Sequence, residues 1–242
     1  MNRNSQLAPT ATQEAIGPDG SHPSTVEGAN GPRAVPPTSP EPMPIPVLRS
    51  SAVVLRPHLP TDLDAILERC LDPDTVRWTT VPSPYTREMA GEYLAGLGPS
   101  TEQISWAIEA DGRYGGSIDL RSYGCDDAHA SGHLGFVTHP EVRGRGVMSQ
   151  AVRMVVDHAF DVLDWQHLTW QAKVGNYASF KTVWRCGFPV PQLVPALLPG
   201  RGRMVDAWHA VLEPDHPREA VSSWVEARAA LDLHVRSARR RG

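Results

Sequence analysis

His133-Leu-Gly-Phe-Val-Thr-His-Pro-Glu-Val-Arg-Gly-Arg-Gly-Val-Met148 joins a short apolar run, a glycine-rich loop and a helix start in immediate succession. His133 to Thr138 reads as a strand. Val147 to Leu163 carries Val152, Val155, Val156, Ala159, Phe160 and Leu163 at helical spacing and is the clearest helix of the chain. Glycines at 144 and 146 let the backbone adopt positive φ and come close to a ligand. The first N–H groups of the helix have no internal partner, and with the helix dipole they form an anion site suited to a pyrophosphate. Arg143 and Arg145 add positive charge there. The loop is neither the GxGxxG of a dinucleotide fold nor a P-loop, whose lysine and Ser/Thr are missing. Taken alone, it fits an ordinary strand-to-helix turn as well as a phosphate site.

The flanking segments alternate between the two periodicities. Ser51 to Arg56 reads as a first strand. Thr61-Asp62-Leu63-Asp64 opens a helix with Leu63, Ile66, Leu67 and Cys70 on one face, and Thr86 opens a second with Met89, Ala90, Tyr93, Leu94 and Leu97, stopped by Gly98-Pro99. Between them, Arg77 to Pro82 reads as irregular and includes Trp78. Gln103–Glu109 and Gly116–Arg121 form a hairpin about Asp111-Gly112. Beyond the central helix come a strand at His167–Lys173, a short helix at Ala178–Cys186 and a strand at Val205–Leu212. The order is strand, two helices, three strands, helix, strand, helix, strand, which predicts a mixed α/β sheet with helices on its faces.

The ends differ from this middle. Residues 1–46 hold ten of the 23 prolines and almost no large apolar side chain, so a disordered tail is expected. The folded domain is placed at 47–214. Residues 215–242 are read as a C-terminal helix with Val221, Trp224, Val225, Leu231 and Val235 on one face, the Arg228 stem along it and Asp232 at its edge. It ends in a basic tip of Arg236, Arg239, Arg240 and Arg241. That tip reads as solvated, with contact to RNA or an acidic partner as the lesser reading. A net charge of -4 argues against a nucleic-acid binder driven by bulk charge. Cys70, Cys125 and Cys186 lie far apart with no CxxC pair and read as reduced thiols. The histidines show no zinc-ligand spacing, so no metal is expected. Neither a membrane-spanning run nor a secretory signal stands out, and a cytoplasmic protein is expected.

The 133–148 segment resembles the acetyl-CoA-binding motif of the GNAT superfamily of N-acetyltransferases, Gln/Arg-x-x-Gly-x-Gly/Ala. Arg143, Gly146 and Met148 fall on its fixed sites, Met148 standing where Gly or Ala is usual. Leu55-Arg56-Pro57 with Asp62 resembles the opening of the Rim-type branch, which acetylates protein N-termini. Asn176-Tyr-Ala-Ser179 followed by Cys186-Gly-Phe188, and Arg203-Met-Val-Asp-Ala-Trp208, resemble its later signatures. The likeness covers residues 51–213.

The resemblance implies a GNAT fold, with a mostly antiparallel sheet splayed midway, and acetyl-CoA as co-substrate. Backbone groups of Phe136, Val137 and His139 would pair with the pantetheine, and N–H groups near Val137 would hold the oxyanion. The N–H groups of Gly144, Arg145, Gly146, Val147, Met148 and Ser149 would hold the pyrophosphate beside Arg143. Asn176 would bind the pantetheine, and Ser179 or Tyr177 would protonate the departing thiolate. His133 stands where the family often has a Glu base and can do that work, with Asp119 as its rival. Asp206 reads as structural, and Trp78 borders the acceptor cleft. The activity implied is acetyl transfer to a primary amine, a protein N-terminus or a small amine, in a ternary complex. A non-catalytic acyl-CoA sensor is the alternative. Oligomeric state is open, a homodimer included.

Overall fold

The computed structural model describes residues 44–123 and 130–239. Strands β1 (Leu48–Arg49), β2 (Val53–Arg56), β3 (Gln103–Ala110), β4 (Arg113–Ser122), β5 (Ser131–Thr138), β6 (His167–Lys173), β7 (Gln192–Pro199) and β8 (Met204–Leu212) build one sheet in the order β1-β2-β3-β4-β5-β6-β8-β7. Every neighbouring pair is antiparallel except β5 and β6. Those two cannot be joined by a hairpin. Helix α4 (Val147–Asp157), extended by a π turn at His158–Val162, makes the crossover that a parallel pair needs.

Side-chain alternation along the strands explains the layers. Leu55, Trp106, Ile118, Leu120, Leu134 and Trp170 point to one face. They bury against Val152, Val155 and Val156 of α4 and Phe180 and Val183 of α5 (Tyr177–Trp184). Trp106, Trp170 and Trp208 are fully buried there; burying a large apolar side chain is worth roughly 1.5–3 kcal/mol. On the opposite face Ala107 and Tyr114 meet Ile66 and Cys70 of α1 (Leu63–Leu71) and Ala90 of α3 (Arg87–Ala95), a smaller second core. Asp62, 4% exposed, is gripped by both Nη atoms of Arg56 at 2.8 and 2.9 Å, while Arg56 Nε donates to Glu109. The Leu-Arg-Pro…Asp pattern is therefore an ion-paired clamp between β2 and the start of α1.

Four elements depart from the sequence reading. A two-residue strand, β1, precedes the expected first strand and pairs Leu48 with Leu55 and Arg49 with Val54. The stretch after α1 contains a short helix, α2 (Pro73–Trp78), rather than only irregular chain. The Asp72 carboxylate accepts from Thr75 N at 2.8 Å, and Pro73 occupies the first turn. Strand β7, which carries Pro195 and Pro199, was not among the expected strands. It lies at the sheet edge, where a missing N–H breaks no ladder, and its register shifts between Val194 and Leu198. The Asp206 carboxylate accepts from Ala196 N within that irregularity, the structural role expected of it. Helix α6 (Trp224–Arg239) turns Trp224, Ala227, Leu231 and Val235 inward, whereas Val225 is 76% exposed and Val221 is exposed too. The true stripe runs 224, 227, 228, 231, 232, 235 and includes Arg228 over the Tyr177 ring and Asp232 on its hydroxyl. Packing extends ahead of Val47, since Ile45 lies on the core and Trp106 Nε1 donates to the Pro46 carbonyl at 2.7 Å. The proline-rich tail as far as residue 43, Cys125, His129 and the end of the arginine tip lie outside the described residues. Among those described, no helix is long and apolar enough to cross a membrane.

Candidate active site

The β5–β6 pairing stops early. It runs from Ser131↔His167 to Leu134↔Trp170 and no further, although β5 continues to Thr138 and β6 to Lys173. The two strands part beyond Leu134, and a cleft of about 490 Å³ opens between them. It is lined by Phe136, Val137 and Thr138 on one wall and Gln171, Ala172 and Lys173 on the other.

The ladder alternation decides which backbone groups face the gap. Tyr123 N donates to Ser131 O, and His139 N donates to Gly115 O, both at 2.9 Å. In an antiparallel pair such hydrogen-bonded positions recur every second residue. The odd residues of β5, Val137 among them, and His139 beyond its end thus turn N–H and C=O toward β4. Phe136 and Thr138 turn theirs into the cleft. The expectation that Val137 and His139 offer their backbone to a ligand is corrected to Phe136 and Thr138, one residue away. His139 is itself 2% exposed and packs edge-on against Tyr114.

The far end of the cleft meets the glycine loop. Gly144 and Gly146 have φ of 75° and 79°, and Gly146 is the N-cap of α4. Nothing lies within 4 Å of a Cβ added at either, so conformation rather than crowding demands glycine there. Gly144, Gly146, Val147, Met148 and Ser149 all line the cleft. Met148, unusual for the motif, is only 6% exposed and sends its side chain into the main core, away from the loop's backbone. The Arg145 N–H donates to the Val142 carbonyl at 3.4 Å and Arg145 does not line the cleft, so the expectation that its N–H joins a phosphate site is corrected.

The loop arginines are engaged by the protein. Arg143 is paired with Asp72, with Asp74 at 3.5 Å, and donates to Thr75 Oγ1, tying the loop to α2. Arg145 is paired with Asp111 of the β3–β4 turn and points to solvent. Sequence reasoning missed three further cations lining the cleft: Lys173, whose Nζ donates to the Thr79 carbonyl at 2.8 Å, and the pair Lys181 and Arg185. Lys181 and Arg185 are the two that follow Asn176 in the chain. They stand one turn apart on the helix opened by Asn176, a spacing that places both on one side and was a usable signal.

The remaining residues separate into two groups. Asn176 lines the cleft and caps α5 by accepting from Ser179 N at 3.2 Å. Ser179 also lines it, and its Oγ accepts from Trp170 Nε1 at 3.2 Å, which leaves the hydroxyl proton for another acceptor. Trp78 also lines the β5–β6 cleft. Tyr177 is not brought to the cleft. Its ring packs on Trp208, and its hydroxyl donates to Asp232 at 2.9 Å.

Asp119 and His133 lie on the sheet face covered by α1. Asp119 stands opposite Gly135, where a Cβ would come within 2.9 Å of its carboxylate, so that glycine makes room for it. Burial raises the Asp119 carboxyl above its ordinary range against the pull of Arg121 and Arg69. His133 Nδ1 lies 3.3 Å from Thr169 Oγ1, a hydroxyl also bonded to Tyr123. Burial, with Arg121 and His209 adding repulsion, pushes its imidazole down to about 4. Neither His133 nor Asp119 lines the cleft.

A sheet splayed at its one parallel junction, with a glycine loop and helix N-terminus at the mouth, belongs to a known class. Residues 52–189 match the acetyltransferase (GNAT) domain, and the chain belongs to the GNAT acetyltransferase family. Solved structures share the fold at low identity. A GCN5-related N-acetyltransferase from Brucella melitensis superposes with a TM-score of 0.60 at 19% identity, covering 82% of this chain and 90% of that one. RimJ from Mycobacterium smegmatis in complex with CoA-disulfide gives 0.58 at 18%, covering 74% and 89%. RimL, a ribosomal L7/L12 alpha-N-protein acetyltransferase in complex with coenzyme A, gives 0.59 at 16%, covering 71% and 98%. No curated protein matches the chain.

Proposed function

We propose that this protein transfers an acetyl group from acetyl-CoA to a primary amine by direct attack within a ternary complex. The observation that carries this reading is the continuous path from the α4 N-terminus into the β5–β6 gap. The pyrophosphate lies on the N–H groups of Gly144 and of Gly146 to Ser149, where the helix dipole favours an anion. Lys181 and Arg185 supply the positive charge that Arg143 and Arg145 spend on Asp72 and Asp111. The pantetheine runs along Phe136 and Thr138, pairing with their backbone as an added strand would. One of those two N–H groups then faces the thioester oxygen and stabilises the charge that forms as the amine attacks.

Ser179 protonates the departing thiolate, since its oxygen already accepts from Trp170 and its proton is aimed elsewhere. Of the two candidates on the α1 face of the sheet, Asp119 is taken as the base, because burial raises its affinity for protons while that of His133 is depressed. The demand on it is modest, because an α-amine has a pKa of about 7.7–8.0 and is partly uncharged near neutral pH. The Rim-type motifs and the RimJ and RimL folds favour a protein N-terminus as acceptor over a small amine.

Coenzyme release measured with a panel of N-terminal peptides and small amines tests the proposal. Turnover with one acceptor class supports it. Saturable acetyl-CoA binding without turnover across the panel would instead assign the chain to acyl-CoA sensing.

A further inference from the structure

The cleft between β5 and β6 has a second, basic mouth on the face of the sheet opposite α4 and α5. Leu168, Trp170 and Ala172 of β6 are buried in the main core, so alternation sends Thr169, Gln171 and Lys173 to the other face. There Thr169 meets His133, and Lys173 Nζ donates to the Thr79 carbonyl just beyond α2. Lys173 lines the cleft on this side together with Trp78 and Thr79. Two arginines stand beside it. Arg201, in the turn between β7 and β8, donates through Nη2 to the Val76 and Val81 carbonyls at 3.1 and 3.2 Å. The Arg77 guanidinium carbon lies 4.7 Å from the centre of the Trp78 ring. The three cations thus gather around one short segment, 76–81, at the edge of the cleft.

What this mouth lacks is negative charge. Among the described residues no carboxylate pairs with Lys173, Arg77 or Arg201, whose partners are carbonyls and a ring face. The carboxylates at the start of α2 are taken, since Asp72 and Asp74 both face Arg143. Asp206 shares the parity of buried Trp208 and so leaves β8 by the other face. Lys173 and Arg201 instead repel each other: burial first, and then the Arg201 charge, lower the affinity of Lys173 for its proton. Both keep spare donors, because carbonyl contacts occupy only part of the donor set of an ammonium or a guanidinium. Arg77 and Arg201 are exposed, so an incoming anion reaches them without disturbing the core.

We propose that the acceptor enters by this mouth, and that Lys173, Arg77 and Arg201 select an amine followed closely by carboxylates, the N-terminus of an acidic peptide. The inference rests on the acetyl-transfer reading above. An amine that reaches the thioester from this side draws the residues behind it past segment 76–81. Acidic side chains there meet unpaired cations, whereas basic ones meet like charge. The same field disfavours polyamines as acceptors.

Steady-state acetylation of peptides that differ only at their second and third residues tests this. With the full chain at saturating acetyl-CoA, a Glu-Glu peptide should exceed its Gln-Gln counterpart in kcat/KM by about tenfold, expressed in KM, with Lys-Lys below both. Raising salt from about 0.05 to 0.5 M should remove most of the difference. The double variant Lys173→Met, Arg201→Met should lose the Glu-over-Gln ratio, and Lys173→Arg should keep it. A merely structural role for these side chains would lower both peptides alike and preserve the ratio. If the double variant does not fold, the wild-type ranking and its salt dependence decide. A wild type that ranks Gln-Gln level with or above Glu-Glu overturns the proposal, as does a ratio that survives in the double variant. If no peptide is turned over, the acetyl-transfer reading is what fails. Fluorescence anisotropy of the same labelled peptides on the CoA-loaded chain then reads docking alone, and equal binding of Glu-Glu and Gln-Gln overturns the acidic preference.

Discussion

Replacing Gly146 with Asp separates phosphate binding from folding. The position has φ of 79° and caps α4. Asp tolerates the left-handed region better than most residues, at a cost of about 1 kcal/mol. A carboxylate at a helix N-terminus returns roughly 0.3–1 kcal/mol through the dipole. The two effects nearly cancel, and nothing crowds the added side chain, so Tm should fall by no more than about 4 °C. Binding should respond very differently. A unit charge about 5 Å from one phosphate charge, at an effective dielectric near 20, repels by about 3 kcal/mol, or roughly 200-fold in Kd. Screening at physiological salt reduces this, and about 20-fold is the expected floor. Titrating CoA by calorimetry, with Gly146→Asn as the uncharged isostere, isolates the charge. Asn should keep most of the affinity. If the Asp variant binds within threefold of wild type while melting normally, the pyrophosphate does not lie on this loop.

The same geometry gives four further expectations. Asp119→Asn should lower kcat at least tenfold at saturating acetyl-CoA, while the limb set by ionisation of the acceptor amine remains. Because burial raises the Asp119 carboxyl, its proton is held more tightly in the folded state, and its charge costs stability as pH rises from about 4 through the raised folded value; the Asn variant should melt no lower than wild type at neutral pH. His133→Gln should leave the profile unchanged between pH 6 and 9, since an imidazole at about 4 does not titrate there, and a shifted limb would restore His133 as the base. Tyr177→Phe should cost about 1 kcal/mol of stability through the lost Asp232 bond, with kcat unaltered, whereas Ser179→Ala should lower kcat. Arg56→Met strands the buried Asp62 carboxylate and should cost about 3–5 kcal/mol by denaturant titration. Burial alone would raise Asp62, but Arg56 and the Leu59 N–H hold it below its usual range. The clamp therefore stabilises at pH above the unfolded value of about 3.9 and is lost as pH falls below it, a loss the methionine variant should not show.

Much of this architecture was readable from local pattern. The central helix, the Asp111-Gly112 hairpin and the alternating strands are dictated by periodicity and turn chemistry acting within a few residues. The glycine loop is of the same kind, because positive φ at 144 and 146 is a local demand. Helix α2 was within reach through Asp72 and Pro73. Strand β7 was not, because prolines are tolerated only where the strand is an edge, and which strand is an edge depends on the assembled sheet.

The site divides along the same line. Local sequence determined that a glycine loop at 143–146 turns into a helix N-terminus at Val147. Only the tertiary structure decided which backbone atoms of β5 face the cleft, since one residue of register turns every group to the other side. It also spent Arg143 and Arg145 on Asp72 and Asp111, carried Tyr177 away to Asp232, and buried His133 and Asp119 so that one lost and the other gained affinity for a proton. Charges, desolvation and strand register depend on residues brought together from far along the chain, and neither spacing nor composition records them.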